Sequence, residues 1–418
     1  MQNNTMTNLP QGWEVKKLEE IANIKGGKRL PKGENLLDNN TKFAYIRVAD
    51  FQDNGTINLQ NIKFINENTY NVLKNYKIYD DNLYVSIAGT IGKSGIIPKE
   101  LNGAILTENA VKLEYIKNNI SNKFMYFFTL SSSFKTQIQT STKIVAQPKL
   151  AITRLKQIEI PLPPLKEQER IVGILDESFA KIDESIKILE QDLLNLDELM
   201  QSALQKAFNP LKDNAKENYK LPQGWEWKSL NSVLLKTSNI NPCDFNENKF
   251  YYIDISSIDN KNFCICDIKI IDKQNAPSRA RKDVLCGDIL YATTRPNLKN
   301  IAINYYDFNN IVASTGFCVL RANKNLNNKY LFFFLLSDIF DKNISKYIRG
   351  TQYPSVSDKD VFNSKIPLPS LKEQEQIASH LDELSSHVKN LKQNYQAQIK
   401  DLQELKNSLL DKAFKGNL

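Results

Sequence analysis

From Leu175 onward the apolar positions fall at alternating steps of four and three: Phe179, Ile182, Ile186, Leu189, Leu193, Leu196, Met200, Ala203 and Ala207. That heptad stride predicts a long helix with a seam that packs on another helix. The stride returns at Leu381, Leu384, Val388, Leu391, Tyr395, Gln398, Leu402, Leu405 and Leu409, with Gln398 the one polar seam residue, a type that sets register at some cost in stability. Pro164 stands at the first turn of one helix, where proline costs no hydrogen bond, and Ser370 with Glu373 opens the other as a capping box. At 1.5 Å per residue each helix is roughly 60 to 70 Å long. With two such helices in one chain, antiparallel pairing within the chain is the simplest closed arrangement; parallel pairing between two copies is the alternative. Off the seam, Ile174, Ile188, Leu194, Leu199 and Leu204 exceed what a two-stranded coil uses, and suit either a docked partner or the chain's own domains.

Outside the heptads the period changes. FAYIRV (43 to 48), LYVSI (83 to 87), DILYAT (288 to 293) and GFCVL (316 to 320) are short, β-branched and aromatic, bounded by Gly, Asn and Asp, and predict strands. FMYFFTL (124 to 130) and YLFFFLL (330 to 336) are about a third of a membrane span, so they are expected as helices packed on the sheets.

The chain is also a duplication. LPQGWE occurs at 9 to 14 and at 221 to 226, and IPLPPLKEQERIVGILDE (160 to 177) returns as IPLPSLKEQEQIASHLDE (366 to 383), identical at 13 of 18 positions. SNKFMYFF (121 to 128) matches NNKYLFFF (327 to 334) at the same offset of 206, and SALQKAF (202 to 208) matches SLLDKAF (408 to 414). Order is kept throughout, as in an array of repeated units. Stretches 25 to 65 and 237 to 280 show almost no likeness. The expected fold class is α+β: mixed domains at 1–164 and 221–370, long helices at 165–208 and 371–418, and a polar linker, 209–220, between the halves.

Charge locates the function. Of the net +8, the stretch 165 to 208 contributes 5 Lys/Arg against 10 Asp/Glu and 371 to 416 contributes 7 against 7, so the remainder carries +13. Acidic partners therefore belong to the domains. The five cysteines lie in the second half without CxxC spacing, and the chain has two histidines, so no familiar metal site is assembled. MQNNTMTNLP has neither a basic n-region nor an apolar h-region, and a cytoplasmic protein is expected.

Catalytic motifs are missing from the pattern. AGTIGKS (88 to 94) has Ile87 where a phosphate loop needs its first glycine, and its counterpart is TTRPNLK (293 to 299), so a basic hairpin is the reading. Asp267-Ile268-Lys269 has no placed partner carboxylate; NPCD (241 to 244) lacks the second proline and the aromatic of an adenine methyltransferase tetrad. What remains is loop chemistry. KGGKRLPKG (25 to 33) sets Lys25, Lys28, Arg29 and Lys32 beside three glycines, and Lys93 and Lys143 lie in later loops. In the second half Arg279, Arg281 and Lys282 of SRARK, with Arg295, Lys299, Lys346 and Arg349, are the corresponding cations. Glycine admits a phosphate chain closely and lysine neutralises it, whereas base identity is read by Arg on guanine or Asn/Gln on adenine. The base-reading candidates are Arg29, Arg47, Gln147, Arg295, Asn297 and Gln352; for each single cation a solvated surface role is the competing account.

LPxGWE opening each half, the GTIGK turn, and IPLPPLKEQExIxxxLDE leading into a long helix resemble the specificity subunit of type I restriction-modification systems over nearly the whole chain. The resemblance implies two target-recognition domains, each reading half of a bipartite DNA site, with the helices as an antiparallel coil that sets the gap. It also implies partners: two methyltransferase subunits with S-adenosylmethionine, and restriction subunits using ATP and Mg, with no cofactor or catalytic residue on this chain. TTRPNLK departs from the family's glycine turn.

Overall fold

A computed structural model describes residues 9–116, 119–141, 149–212 and 219–418. They form two compact units interleaved in sequence: Met1–Ile188 with Gln398–Leu418, and Leu189–Ala397. Among the described residues no helix is long and apolar enough to cross a membrane.

The first unit contains strands β1 (Glu14–Lys17), β2 (Ala22–Gly26), β3 (Ala44–Ile46), β4 (Lys63–Phe64), β5 (Lys77–Ile78), β6 (Leu83–Ser86), β7 (Ser94–Ile96), β8 (Ala104–Leu106), β9 (Ala110–Tyr115) and β10 (Glu159–Leu162). They form sheets β2-β9-β6-β7 and β4-β3-β8-β5 and the pair β1-β10. The second unit contains β11 (Glu226–Ser229), β12 (Leu234–Leu235), β13 (Lys249–Ile253), β14 (Ile258–Asp259), β15 (Cys264–Ile265), β16 (Lys269–Asp272), β17 (Ala280–Asp283), β18 (Ile289–Ala292), β19 (Ile301–Ile303), β20 (Ile311–Ser314), β21 (Phe317–Ala322) and β22 (Lys365–Leu368). Its sheets β12-β21-β18-β19 and β16-β13-β20-β17 and pair β11-β22 repeat the first set strand for strand, and the short pair β14-β15 stands where the first unit has the single antiparallel bridge Phe51–Ile57. The repeat therefore runs through 25 to 65 and 237 to 280, which the sequence comparison treats as unlike: β3 pairs parallel with β8, and β13 parallel with β20.

Central strands are buried on both faces, which is why LYVS and ILYA are unbroken apolar runs rather than alternating ones. Leu83 and Val85 share a core with Phe124 and Phe128 of the helix Asn122–Leu130, while Tyr84 joins Ile46 and Leu106 of the other sheet. Ile289 and Tyr291 likewise share a core with Tyr330 and Phe334 of the helix Asn328–Leu336, and Leu290 with Ile253.

The repeated motifs are fasteners. β1 pairs antiparallel with β10 and β11 with β22, tying each LPQGWE segment to its IPLP segment. The buried Gln168 donates to the carbonyls of Asn119 (3.1 Å) and Pro163 (2.9 Å) and accepts from Ser121 N (2.8 Å). Gln374 repeats all three bonds with Asn325, Pro369 and Asn327 (3.1, 3.0 and 2.9 Å). Ser121 and Asn327 in turn cap the two aromatic helices. Glu373 accepts from the Trp225 indole at 3.1 Å, so the expected box at Ser370 is half made, Ser370 Oγ accepting from Glu373 N at 3.4 Å.

The long helices are Leu165–Phe208 and Leu371–Ala413, and they pack against each other. In the first unit Lys406 bonds Asp183 (2.6 Å) and Arg170 bonds the Leu418 carbonyl (2.7 Å), a descending register that makes the pair antiparallel. Phe414 at the end of the second helix packs on Phe124 and Phe128 with ring centres 5.1 and 5.4 Å apart. In the second unit Lys392 pairs with Asp197, and Phe208 at the end of the first helix packs on Tyr330 and Phe334 at 5.1 and 5.4 Å. This is why KAF recurs.

One seam assignment needs correction. On the first helix Leu175, Ile182 and Leu196 are buried and Phe179, Ile186, Leu189, Leu193 and Met200 half-buried. On the second, Leu381 and Val388 are buried and Leu384, Tyr395, Leu402 and Leu409 half-buried, but Leu391 and Leu405 are 40% and 46% exposed and Gln398 is exposed. Lys392, Ile399 and Lys406, one residue further on, are half-buried in their places. Lysine stems cover apolar surface while their ammonium groups reach the facing aspartates, and Lys406 Nζ lies 4.7 Å from the centre of the Phe179 ring. An apolar-only pattern cannot see a stripe that uses lysines. Of the off-seam residues, Leu204 is buried in the second unit's core, whereas Ile188, Leu194 and Leu199 are exposed.

Candidate nucleic-acid interface

In the first domain four segments meet at one edge of the sheets. Gly27 lies so close to the turn after β8 that a Cβ there would collide with the carbonyl oxygens of Leu106 and Thr107, which explains the glycine. Lys28 N donates to Leu106 O (2.9 Å) and Tyr45 Oη donates to Lys28 O (2.8 Å), fixing the loop from both sides. Arg29 Nε donates to Glu108 Oε1 at 2.6 Å. Ile87 N donates to Asn109 O (2.8 Å), bringing in the 87–93 turn, and Ala88 bridges to Lys149.

The remaining first-domain cations are held differently. Lys25 pairs with Glu114 (2.6 Å), Lys93 with Asp53 (2.7 Å), and Arg47 gives Nε and Nη2 to the buried Asp50 and Nη2 also to Asn61 O. Arg47 is thus engaged in the fold. Lys28 Nζ lies 5.8 Å over the Tyr76 ring, and Lys32 is exposed. Lys143 and Gln147 lie outside the described residues.

The same edge exists in the second domain. Thr315 N donates to Arg279 O (2.8 Å), Thr293 N to Gly316 O (2.8 Å) and Arg295 N to Pro354 O (2.7 Å), while Thr294 bridges to Ser355. Arg295 has a positive φ of 51° and its guanidinium sits 5.4 Å over the 68%-exposed Tyr353 ring. Asn297 and Gln352 are exposed in the two loops that meet there, and Lys346 is exposed just beyond the helix Asp338–Ser345. Lys299 pairs with Asp341 (2.5 Å), Lys282 with Asp358 (2.7 Å) and Arg349 with Asp360 (3.1 Å); Arg281 donates to its neighbour's carbonyl, Ala280 O (2.7 Å).

Electrostatics separate the roles. Burial pushes the Glu108 carboxyl up, but hydrogen bonds from Arg29, the backbone and Thr107 hold it below the ordinary carboxylate range. Burial raises Asp341, against the opposing Lys299. The edge residues missed by sequence reasoning are Glu108, Tyr353 and a repeated tyrosine, Tyr45 beside Thr107 and Tyr252 beside Ser314, under the equivalent turns. Burial raises both tyrosine hydroxyls. A signal for the tyrosines exists: FAYI (43 to 46) and FYYI (250 to 253) match at an offset of 207 instead of 206. Among the described residues no group of three or more His, Cys, Asp and Glu is placed to hold a metal.

The profile of the family described as "Type I restriction modification DNA specificity domain" matches twice, at residues 10–193 and 222–401. The Type I restriction enzyme EcoBI specificity subunit of Escherichia coli is 23% identical over 437 residues, covering 99% of this chain and 88% of that protein. The MjaVIII specificity subunit of Methanocaldococcus jannaschii is 25% identical over 397 residues, covering 91% and 88%. Two solved structures share the fold: one from work on complex assembly and conformational transition of the type I R-M system (TM-score 0.76, 21% identity, 98% and 100% covered), and the HsdS subunit of Thermoanaerobacter tengcongensis (TM-score 0.59, 21% identity, 99% and 99% covered).

Proposed function

Because the chain belongs to the type I restriction-modification DNA specificity family, with both halves matched, we propose that it reads a bipartite DNA site, each domain contacting one half, and directs adenine methylation and restriction by partner subunits. The observation that carries this reading is the edge built twice: equivalent turns after β8 and β20 and after β6 and β18, laid on the same strand order but armed with different side chains. Exposed Lys28 and Lys32 supply phosphate attraction in the first domain; Arg279 and Arg295 supply it in the second. The paired long helices set the gap between half-sites. Two methyltransferase subunits bring S-adenosylmethionine and restriction subunits bring ATP and Mg chemistry, while this chain holds none of these. It acts in the cytoplasm. Methylation maps of the host with and without the gene test the reading: loss of one bipartite N6-methyladenine motif is expected, and an unchanged map rejects it.

A further inference from the structure

Nine arginines stand in the chain, and four have their planar forks occupied by the fold. Arg47 is locked on Asp50, Arg170 gives Nε and Nη2 to Glu167, Arg321 gives Nε and Nη2 to Asp288, and Arg349 gives both Nη groups to Asp360. Arg29 is arranged otherwise. Its Nε donates to Glu108 Oε1 at 2.6 Å, and its side chain is 80% exposed. Among the described residues neither Nη group has a protein partner.

That arrangement suits one task. A guanidinium carries five N–H donors in a rigid plane, and two of them match the O6 and N7 acceptors of guanine. Tying Nε to a carboxylate fixes the plane while leaving the terminal donors for a ligand. The adjacent negative charge also offsets the arginine's attraction for phosphate, so the pair is poor at adding affinity and good at reading a base edge. The scaffold is rigid: Gly27 is wedged against Leu106 and Thr107, the Lys28 backbone is bonded at both its N–H and its carbonyl, and Thr107 Oγ1 donates to Glu108 Oε2 at 3.0 Å. A side chain already immobilised loses little rotamer freedom on binding.

We infer that Arg29 reads a guanine in the half-site of the first domain through its terminal donors, with Glu108 as its positioning residue. This rests on the reading of the chain as a DNA specificity subunit. It commits the first-domain half-site to a guanine on one strand, and assigns Glu108 a part in specificity although it carries the wrong charge for DNA.

The test uses the full chain assembled with its methyltransferase subunits and a DNA library in which each position of the site is randomised in turn. Arg29→Ala is expected to lower the preference for guanine at one position of one half-site by about ten- to hundredfold, the value of one bidentate contact. Glu108→Gln relaxes the same position by less, and Arg29→Lys, which keeps the charge without the fork, relaxes it too and decides the matter if Arg29→Ala abolishes methylation. Preferences in the other half-site stay as they were, reporting an intact assembly. Unchanged guanine preference in Arg29→Ala and Arg29→Lys, or a first-domain half-site lacking guanine, overturns the inference. A wild-type assembly that methylates no bipartite site rejects the underlying function instead.

Discussion

The equivalent edges of the two domains hold their exposed arginines by opposite means. Arg29 is tethered by a carboxylate 2.6 Å away, whereas Arg295 is laid over the Tyr353 ring and set by a left-handed backbone, with no acid bonded to it among the described residues. A second contrast lies on the strands beneath: Arg47 closes an ion pair on Asp50, and at the equivalent place in the second domain Asp254 accepts from Ile255 N. Around these differences the fastening is the same, bond for bond, at Gln168 and Gln374. Framework was therefore copied and kept, and the side chains it presents were changed.

The largest expected effect tests whether the framework is equivalent. Phe208→Ala and Phe414→Ala each remove a buried ring from a core and should cost about 3–5 kcal/mol in denaturant unfolding; costs that differ by more than about 2 kcal/mol would show that the two dockings are not alike. Next is the strand contrast. Arg47→Ala strands the buried Asp50 and should cost roughly 3 kcal/mol, against about 1 kcal/mol for Asp254→Ala, which loses a cap; neither should alter the salt dependence of DNA binding. The phosphate contribution is smaller in energy and cleaner to read: Lys28→Ala with Lys32→Ala should lower the slope of log K against log salt by about 2, and an unchanged slope removes that loop from DNA. Tyr353→Leu should weaken binding by roughly 0.5–1 kcal/mol, the value of an exposed cation–π contact. Least is the response to pH. Glu108 is held below its ordinary range, so its stabilising pairing is complete above that range and is lost only as pH falls through the lowered value; first-domain base preference should be flat between about pH 6 and 8.

Much of the fold was legible because its fasteners are short and repeated. LPQGWE, IPLP and LKEQE match by eye, and the structure shows each bonded to another. The unlike segments concealed the rest of the duplication, since one residue gained in a loop shifts FAYI against FYYI and a fixed offset passes over them. Seam positions at Lys392 and Lys406 were hidden by a rule that admits only apolar residues. At the edges the cations were visible but not their partners: Glu108 lies 79 residues from Arg29, and Tyr353 far from Arg295. Only the fold tells a tethered arginine from a spent one. Arg47 and Asp50, three residues apart, were the exception, a pair the sequence displays.

In the proposed function one domain reads each half-site and the paired helices set the distance between. Inserting a heptad after Ile188 and another after Ala397 keeps the seam in phase and adds about 10 Å, or roughly three base pairs, to the helices. Methylome sequencing of cells carrying this variant should return the wild-type half-sites separated by a longer gap. The same half-sites at the original gap would show that the helices do not set the spacing.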